Sequence, residues 1–121
     1  MSDNQRRGVL RNKSTGEVVA GDAWLAKGWM GQFLGLMGIR NVPRDFALGL
    51  PGCDRVHTIG VRVPIDVIYC DSAGRVLRIV TDLPTGRIAP GAPGAHIAWE
   101  MGGDQVAGRV HVGDILILAP E

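Results

Sequence analysis

Apolar and polar residues alternate in short runs along most of the chain, and glycines or prolines separate these runs. Runs of this kind are typical of β-strands joined by tight turns. The chain holds 18 glycines and 7 prolines, which fits many such turns. We therefore predict a mainly β protein, with strands over the runs RGVLRN, EVVAGDAWLA, FALGLPG, DRVHTIGV, IDVIYC, RVLRIVTD, HIAWEM and DILIL.

Local turn signals join several of these runs into hairpins. Gly16 in KSTG can take the positive φ that closes a tight loop, and so can Gly74 in DSAG. Asp71 in the same DSAG turn can accept hydrogen bonds from the backbone that follows it. The stretch LPTGRIAPGAPG has three prolines and therefore predicts an exposed loop rather than a strand.

One segment has helical periodicity instead. WMGQFLGLMG spaces Trp29, Phe33 and Leu36 at helical intervals, so we predict a short helix there. Apolar residues on that helix would cap an open end of the β layer. We therefore expect Trp24, Phe33 and Trp99 to lie in one core.

Length and composition predict a single domain over residues 1–121, because 45% apolar content is enough for an ordinary core. A net charge of +1 and 5% aromatic residues argue against a nucleic acid partner, and the charge argues against an anionic membrane surface. No apolar run follows the charged N-terminus. We therefore expect a cytoplasmic protein, or an exported one if a leader has been removed. Cys53 and Cys70 are then expected to be free thiols.

Three motifs occur in the order in which a known family has them. They are GLMG, then VHTIGVRVPIDVIYCDSAGRV, then WEMGGDQVAGRVHVGDIL. On these motifs the chain resembles domain-of-unknown-function family 192 of bacteria and archaea, over about residues 24–118. The resemblance implies a compact, mainly β single domain and no established reaction. Residues 1–23 would add an N-terminal hairpin to the same domain.

The run VHTIGVRVPIDVIY, residues 56–69, places polar side chains among apolar and β-branched ones. On one continuous strand, His57 would share the apolar face, whereas Thr58 and Asp66 would share the other face. Pro64 cannot donate to a central ladder, so we expect the strand to break before it. Which polar side chains then meet depends on the register across the break.

Two interpretations of these polar residues stay open. His57 is either a buried imidazole whose nitrogens are hydrogen-bonded by the backbone or by Thr58, or a ligand or proton carrier. Asp66 either accepts hydrogen bonds from nearby backbone amides, or pairs with His57 or Arg62 and raises the basicity of the imidazole. The candidate binding residues are His57, Thr58, Asp66 and Glu100.

Glu100 lies between Trp99 and Met101 on a predicted strand, so its carboxylate must be exposed or paired. It belongs either to an exposed strand face or to a cluster shared with His57. No HxH or HExxH spacing brings two histidines together, so we predict no metal site and no cofactor. Cys53 is expected to be an ordinary thiol.

The predicted fold is a small single-domain β-barrel or sandwich of about eight short strands with one short helix. The expected function is a non-enzymatic binding or accessory module that holds a small polar ligand or a protein segment near His57 and Asp66. The alternative is a small hydrolase-like enzyme in which Asp66 orients His57 as a general base, although no nucleophile motif accompanies them. A third possibility is interaction through an exposed edge strand.

Overall fold

Seven β-strands form one curled sheet in the computed structural model, which describes residues 5–26 and 41–120. The strands are β1 (Gln5–Asn12), β2 (Val18–Ala26), β3 (Phe46–Pro51), β4 (Ile65–Cys70), β5 (Val76–Leu83), β6 (Ile97–Gly102) and β7 (Leu116–Ala119). Their order across the sheet is β5-β4-β6-β3-β2-β1-β7, with β2 and β3 parallel. The sheet forms a half-barrel, which confirms the predicted mainly β single domain and excludes the sandwich.

The turn signals act as predicted in both hairpins. Gly16 has a φ of 82° between β1 and β2, and Gly74 has a φ of 85° between β4 and β5. The Asp71 carboxylate accepts hydrogen bonds from the backbone N–H groups of Ala73 and Arg75, each at 2.9 Å. Short-range turn chemistry therefore fixes these two antiparallel pairs.

The structure departs from the predicted strands at one run. DRVHTIGV forms no strand and makes a single antiparallel bridge, between His57 and Ile88. The break before Pro64 is confirmed, because β4 begins directly after this proline. The predicted helix over residues 29–38 lies outside the described residues. Within residues 5–26 and 41–120 no helix has the length and apolar character needed to cross a membrane.

Two apolar clusters cover the two faces of the sheet. The inner cluster takes side chains from every strand, among them Leu10, Ala20, Ala47, Ile68, Val76, Met101 and Leu116. The outer cluster includes Leu48, Leu50, Val56, Ile65, Val67, Tyr69 and Ala98. Loop residues such as Val56 and Ala89 belong to the outer cluster, so loops cover that face.

The two tryptophans of the described residues lie on opposite faces. Trp99 is 4% exposed and belongs to the inner cluster, whereas Trp24 packs against the outer cluster. The prediction that they share one core is therefore wrong, because successive side chains of a strand point to opposite faces and sequence runs alone do not fix which face is which. Phe33, the third member of that prediction, lies outside the described residues.

The two edge strands meet at one end of the half-barrel. Arg75 and Ile115, each one residue before an edge strand, form an antiparallel bridge. The N–H of Leu116 also donates to the carbonyl of Gly74 at 2.8 Å. The beginnings of β5 and β7 are therefore joined, although the two strands do not pair along their lengths.

The segment over residues 103–114 folds against the inner face and fills it. Val106 and Val110 are buried in the inner cluster. The Arg109 guanidinium donates to the carbonyl of Val18 at 2.6 Å, which ties the segment to β2. The Asp66 carboxylate binds the backbone of this segment.

Asp114 is expected to make the stability of this region depend on acidic pH. Its carboxylate accepts hydrogen bonds from the Asn12 side chain at 2.8 Å and from the His111 N–H at 2.9 Å, and these bonds lower its pKa. A lowered folded-state pKa gives stability that is present above the unfolded value and lost as pH falls through the folded value. The free energy of unfolding should therefore be larger for the parent than for Asp114→Asn at neutral pH. This difference should shrink as the pH falls below the ordinary pKa range of aspartate.

Chemical denaturation of both proteins at neutral and acidic pH measures this difference. Asp54→Asn is the control, because the exposed Asp54 carboxylate makes no hydrogen bond within the described residues. A difference for Asp114→Asn that grows on acidification would show that its hydrogen bonds do not stabilise the ionised form.

Candidate functional site

Two loops on the outer face pair with each other over residues 56–59 and 86–89, and we call this pairing the loop ladder. The N–H of Ala89 donates to the carbonyl of Val56 at 2.9 Å. Both of these side chains are buried in the outer cluster. The Val56 N–H donates to the buried Tyr69 hydroxyl at 3.1 Å. The loop ladder is therefore held against the sheet by its buried side.

Thr58 locks the loop ladder from within. Its side chain is fully buried. The hydroxyl accepts a hydrogen bond from the Arg87 N–H at 2.7 Å and donates one to the Pro84 carbonyl at 2.6 Å. The Thr58 N–H also donates to the Arg87 carbonyl at 2.7 Å. Thr58 therefore positions the loops, and its buried hydroxyl does not contact an external ligand.

Thr58→Val is expected to lower the free energy of unfolding by about 1–3 kcal/mol. The substitution keeps the side-chain volume but leaves the Arg87 N–H without the buried hydroxyl oxygen to which it donates, and an orphaned donor carries that cost. Urea denaturation measures the change. The control is Thr85→Val, which makes the same chemical change at an exposed position of the neighbouring loop and should alter stability by less than about 0.5 kcal/mol. Equal effects would exclude the locking role of Thr58.

The solvent side of the loop ladder carries His57 and two apolar residues. His57 and Ile88 are paired in the ladder, so their side chains project from the same face. Ile59 follows in the adjoining turn. Ile59 is 54% exposed and Ile88 is 66% exposed. We call these three residues the His57 patch.

The His57 imidazole is half-buried, and its Nδ1 atom is buried with no hydrogen-bond partner among the described residues. The interpretation in which both nitrogens are satisfied by the backbone or by Thr58 is therefore wrong. The Thr58 hydroxyl is unavailable because it already bonds two backbone groups of the opposite loop. An unsatisfied buried nitrogen is an unusual feature, since such groups are nearly always paired.

Asp66 lies on the opposite face of the sheet from this patch. Its carboxylate is fully buried and accepts four backbone N–H groups. The donors are Asp82 and Asp104 at 2.8 and 3.1 Å, and Gln105 and Val106 at 2.9 Å each. Each oxygen thus has two donors. The structure assigns Asp66 to holding the backbone of the segment that fills the inner face.

Asp66 and His57 are not brought together. Asp66 alternates along β4 with outer-cluster residues and shares the inner side with Ile68, whereas His57 lies in the loop that covers the outer cluster. Both Asp66 oxygens are occupied by amide donors. The arrangement in which Asp66 orients the imidazole is absent from the described residues.

Glu100 is on the outer face of β6, opposite Val67 and Leu48, and is 2% exposed. The interpretation of Glu100 as part of an exposed strand face is therefore wrong, because loops cover that face. Burial raises the pKa of the Tyr69 hydroxyl, and the nearby Glu100 carboxylate acts in the same direction. Burial also raises the pKa of the Cys53 thiol, and the Glu100 carboxylate again acts in the same direction. The Glu100 carboxylate thus lies near both the Tyr69 hydroxyl and the Cys53 thiol.

Neither thiol has the character of a nucleophile. Burial raises the pKa of the Cys70 thiol to about 12 and also raises the pKa of Cys53. The thiolate is the reactive form, and a raised pKa suppresses it at neutral pH. Both cysteines are free, as predicted. Among the described residues no three metal-ligating side chains come together as a metal site.

A groove of about 320 Å³ lies elsewhere, between β7 and the turn that joins β4 to β5. Leu25, Ile97, Trp99 and Leu118 form its apolar wall. None of the four candidate residues lines it. The predicted polar residues therefore do not converge on this concavity.

Sequence reasoning missed Ile59 and Ile88. A signal for Ile88 was present, since an isoleucine in the proline- and glycine-rich loop LPTGRIAPGAPG has no strand to pack in. Ile59 was read as part of a strand, where it would have been buried. Its exposure follows from the turn that the chain makes after Thr58, whose carbonyl accepts the Val61 N–H at 3.0 Å.

The model of domain-of-unknown-function family 192 (DUF192), described as "Uncharacterized ACR", matches residues 10–117. No curated protein matches the sequence.

Two solved structures share the fold. One is a protein of unknown function from Novosphingobium aromaticivorans, with a TM-score of 0.74 and 18% identity over 93% of this chain and 84% of that one. The other is described as a putative transcription regulator from Sinorhizobium meliloti, with a TM-score of 0.72 and 19% identity over 98% of this chain and 96% of that one. At these identities the likeness concerns the fold alone.

Proposed function

Since the chain belongs to domain-of-unknown-function family 192, which is uncharacterised, we propose from the geometry that it is a non-enzymatic binding module that holds a protein segment on the His57 patch. One observation carries the proposal. Two isoleucines, 54% and 66% exposed, flank a half-buried histidine on a backbone that is locked from behind.

The physical case rests on exposure and rigidity together. Covering Ile59 and Ile88 would remove apolar surface from water, at a gain of about 25 cal/mol per Å². Because Thr58 already fixes the loop ladder, binding would order little additional backbone, and the entropic cost of association falls accordingly. Contiguous apolar surface that is exposed on a rigid backbone is a feature of interaction sites.

A protein segment fits this surface better than a small polar ligand does. The side-chain oxygens of Thr58 and Asp66 are already hydrogen-bonded to backbone groups, and Glu100 is buried beneath the loops. Of the four candidate residues, only His57 reaches the solvent side. A polar ligand would therefore gain few hydrogen bonds, whereas an apolar side chain of a partner would contact both isoleucines.

The hydrolase-like alternative receives no support from the geometry. A general base needs the reacting groups within hydrogen-bond distance, and Asp66 is on the other face of the sheet from His57. The two thiols are held in their neutral forms. The description of the Sinorhizobium meliloti protein as a putative transcription regulator belongs to that protein, and a net charge of +1 gives this chain no general attraction for nucleic acid.

Selection from a displayed library of short random peptides tests the proposed function. We expect enriched peptides that contain a large apolar residue and that lose binding to the Ile59→Ser and Ile88→Ser variants. Val112→Ser is the matched control, because Val112 is 64% exposed in a different loop. Peptides that bind all three variants as they bind the parent, or a failure to enrich any peptide, would overturn the proposal.

We also infer that the protein works in a reducing compartment, as the cytoplasm is. Both cysteines are free and Cys70 is fully buried as a thiol, which is usual in proteins of a reducing compartment. Thiol titration of the denatured protein, purified without reductant, should recover both. Recovery of neither would indicate oxidation and an exported protein.

A further inference from the structure

We infer that the segment held on the His57 patch is acidic, and this inference rests on the proposed function. Arg55, Arg62 and Arg87 belong to the two loops that carry the patch, and all three are exposed. Residues 54–62 and 84–90 contain these three arginines and one acidic residue, Asp54. The loops therefore carry a local positive charge in a protein whose net charge is only +1.

These three guanidinium groups are available to a partner. None of them makes a side-chain hydrogen bond or ion pair within the described residues. Three arginines elsewhere are engaged: Arg7 pairs with Asp22 at 2.9 Å, and Arg78 and Arg109 donate to backbone carbonyls. A guanidinium binds a carboxylate through two parallel hydrogen bonds, so unengaged arginines beside an apolar contact favour a partner with carboxylates.

The arrangement gives the partner a definite pattern. Ile59 and Ile88 supply an apolar contact for one large side chain, and the exposed arginines of the same two loops supply charge for Asp or Glu residues around it. Apolar contact provides affinity, while complementary charge speeds association and selects the partner. An acidic segment with an apolar anchor uses both features of the surface.

Nucleic acid uses only one of these features. Its phosphates would be attracted by the arginines, but the isoleucines offer neither hydrogen bonds nor aromatic rings on which bases stack. Single-strand binders rely on such stacking platforms. The apolar centre of the patch therefore favours a polypeptide.

The charge of the partner is tested with a library in which one fixed leucine is flanked by random positions, with acidic and basic residues equally represented. We expect the parent protein to enrich Asp and Glu in the flanks. A synthetic peptide of the enriched sequence should bind roughly tenfold more weakly to the double variant Arg55→Glu/Arg87→Glu. Its binding should also weaken as salt is raised. Arg11→Glu, at an exposed position of β1, is the matched control and should bind as the parent does.

The possible outcomes separate this inference from the proposed function. Enrichment of neutral or basic flanks, with binding still lost in Ile88→Ser, would overturn the acidic partner and leave the binding module intact. If Ile88→Ser selects the same peptides and binds them as tightly as the parent does, both the acidic partner and the binding module are overturned. Binding of a DNA duplex that needs the arginines but not Ile88 would assign the surface to nucleic acid. Dimerisation of the parent that Ile88→Ser abolishes would assign it to a second copy of the chain.

Discussion

Replacing Asp66 by asparagine is expected to lower the free energy of unfolding by about 3–5 kcal/mol. The carboxylate is fully buried and accepts four backbone N–H groups, two on each oxygen. The amide nitrogen of asparagine accepts no hydrogen bond, so two of the donors lose their partner. Hydrogen bonds to a charged group contribute about 1.5–3 kcal/mol each.

Two of the four donors have backbone conformations that the carboxylate stabilises. Asp82 and Asp104 have left-handed φ values of 54° and 66°, a conformation that few residues other than glycine adopt. Both donate their N–H to the same Asp66 oxygen. The carboxylate therefore holds two unfavourable backbone conformations in place.

Asp71→Asn is the matched control for Asp66→Asn. Asp71 also accepts two backbone N–H groups, but a single oxygen accepts both of them. Asparagine retains such an oxygen, so this variant should lose less than about 1 kcal/mol. Urea denaturation compares the two. Similar losses for both would show that the buried carboxylate does not have the structural role assigned to it.

Trp99→Ala is expected to lower the free energy of unfolding by about 3–5 kcal/mol, the usual cost of truncating a buried tryptophan. Trp99 lies in the inner cluster and is 4% exposed. Gly49 on the neighbouring strand leaves room for the ring, because a Cβ there would lie 2.6 Å from it. The indole therefore occupies the space left by the missing side chain of Gly49 on β3.

Trp24→Ala should have a clearly smaller effect on the same measurement. Trp24 is only partly buried, on the outer side of the sheet, where its Nε1 donates to Asp22 at 2.8 Å and Arg7 lies 5.0 Å from its ring centroid. Equal losses for the two variants would contradict the separation of the two tryptophans into an inner and an outer layer.

Seven of the eight predicted strands are present, because short-range signals determine them. Alternating β-branched runs mark β4 and β5, and the hydrogen bonds of Asp71 and the positive φ of Gly74 close their hairpin within four residues. The failed prediction, DRVHTIGV, has similar composition. Its conformation is fixed by pairing of His57 with Ile88 and of Thr58 with Arg87, and contacts across so many residues leave no local pattern.

The candidate site was predictable only in part, for the same reason. The sequence marked His57 and Asp66 as polar residues in an apolar run, but the donors that occupy Asp66 lie 16 to 40 residues further along the chain. Burial of Glu100 depends on loops that cover the outer face, which strand periodicity does not reveal. The exposed Ile59 had the same local appearance as the buried Val61.

Amide chemical-shift mapping tests most directly whether an acidic segment binds the His57 patch. Isotope-labelled protein would be titrated with a synthetic acidic peptide that contains one leucine, taken from the library selection. We expect shift changes at residues 57–59 and 86–88, with none along β7 or the groove beside it. Changes confined to β7 and that groove would contradict binding at the His57 patch, because the bound segment would then lie away from it.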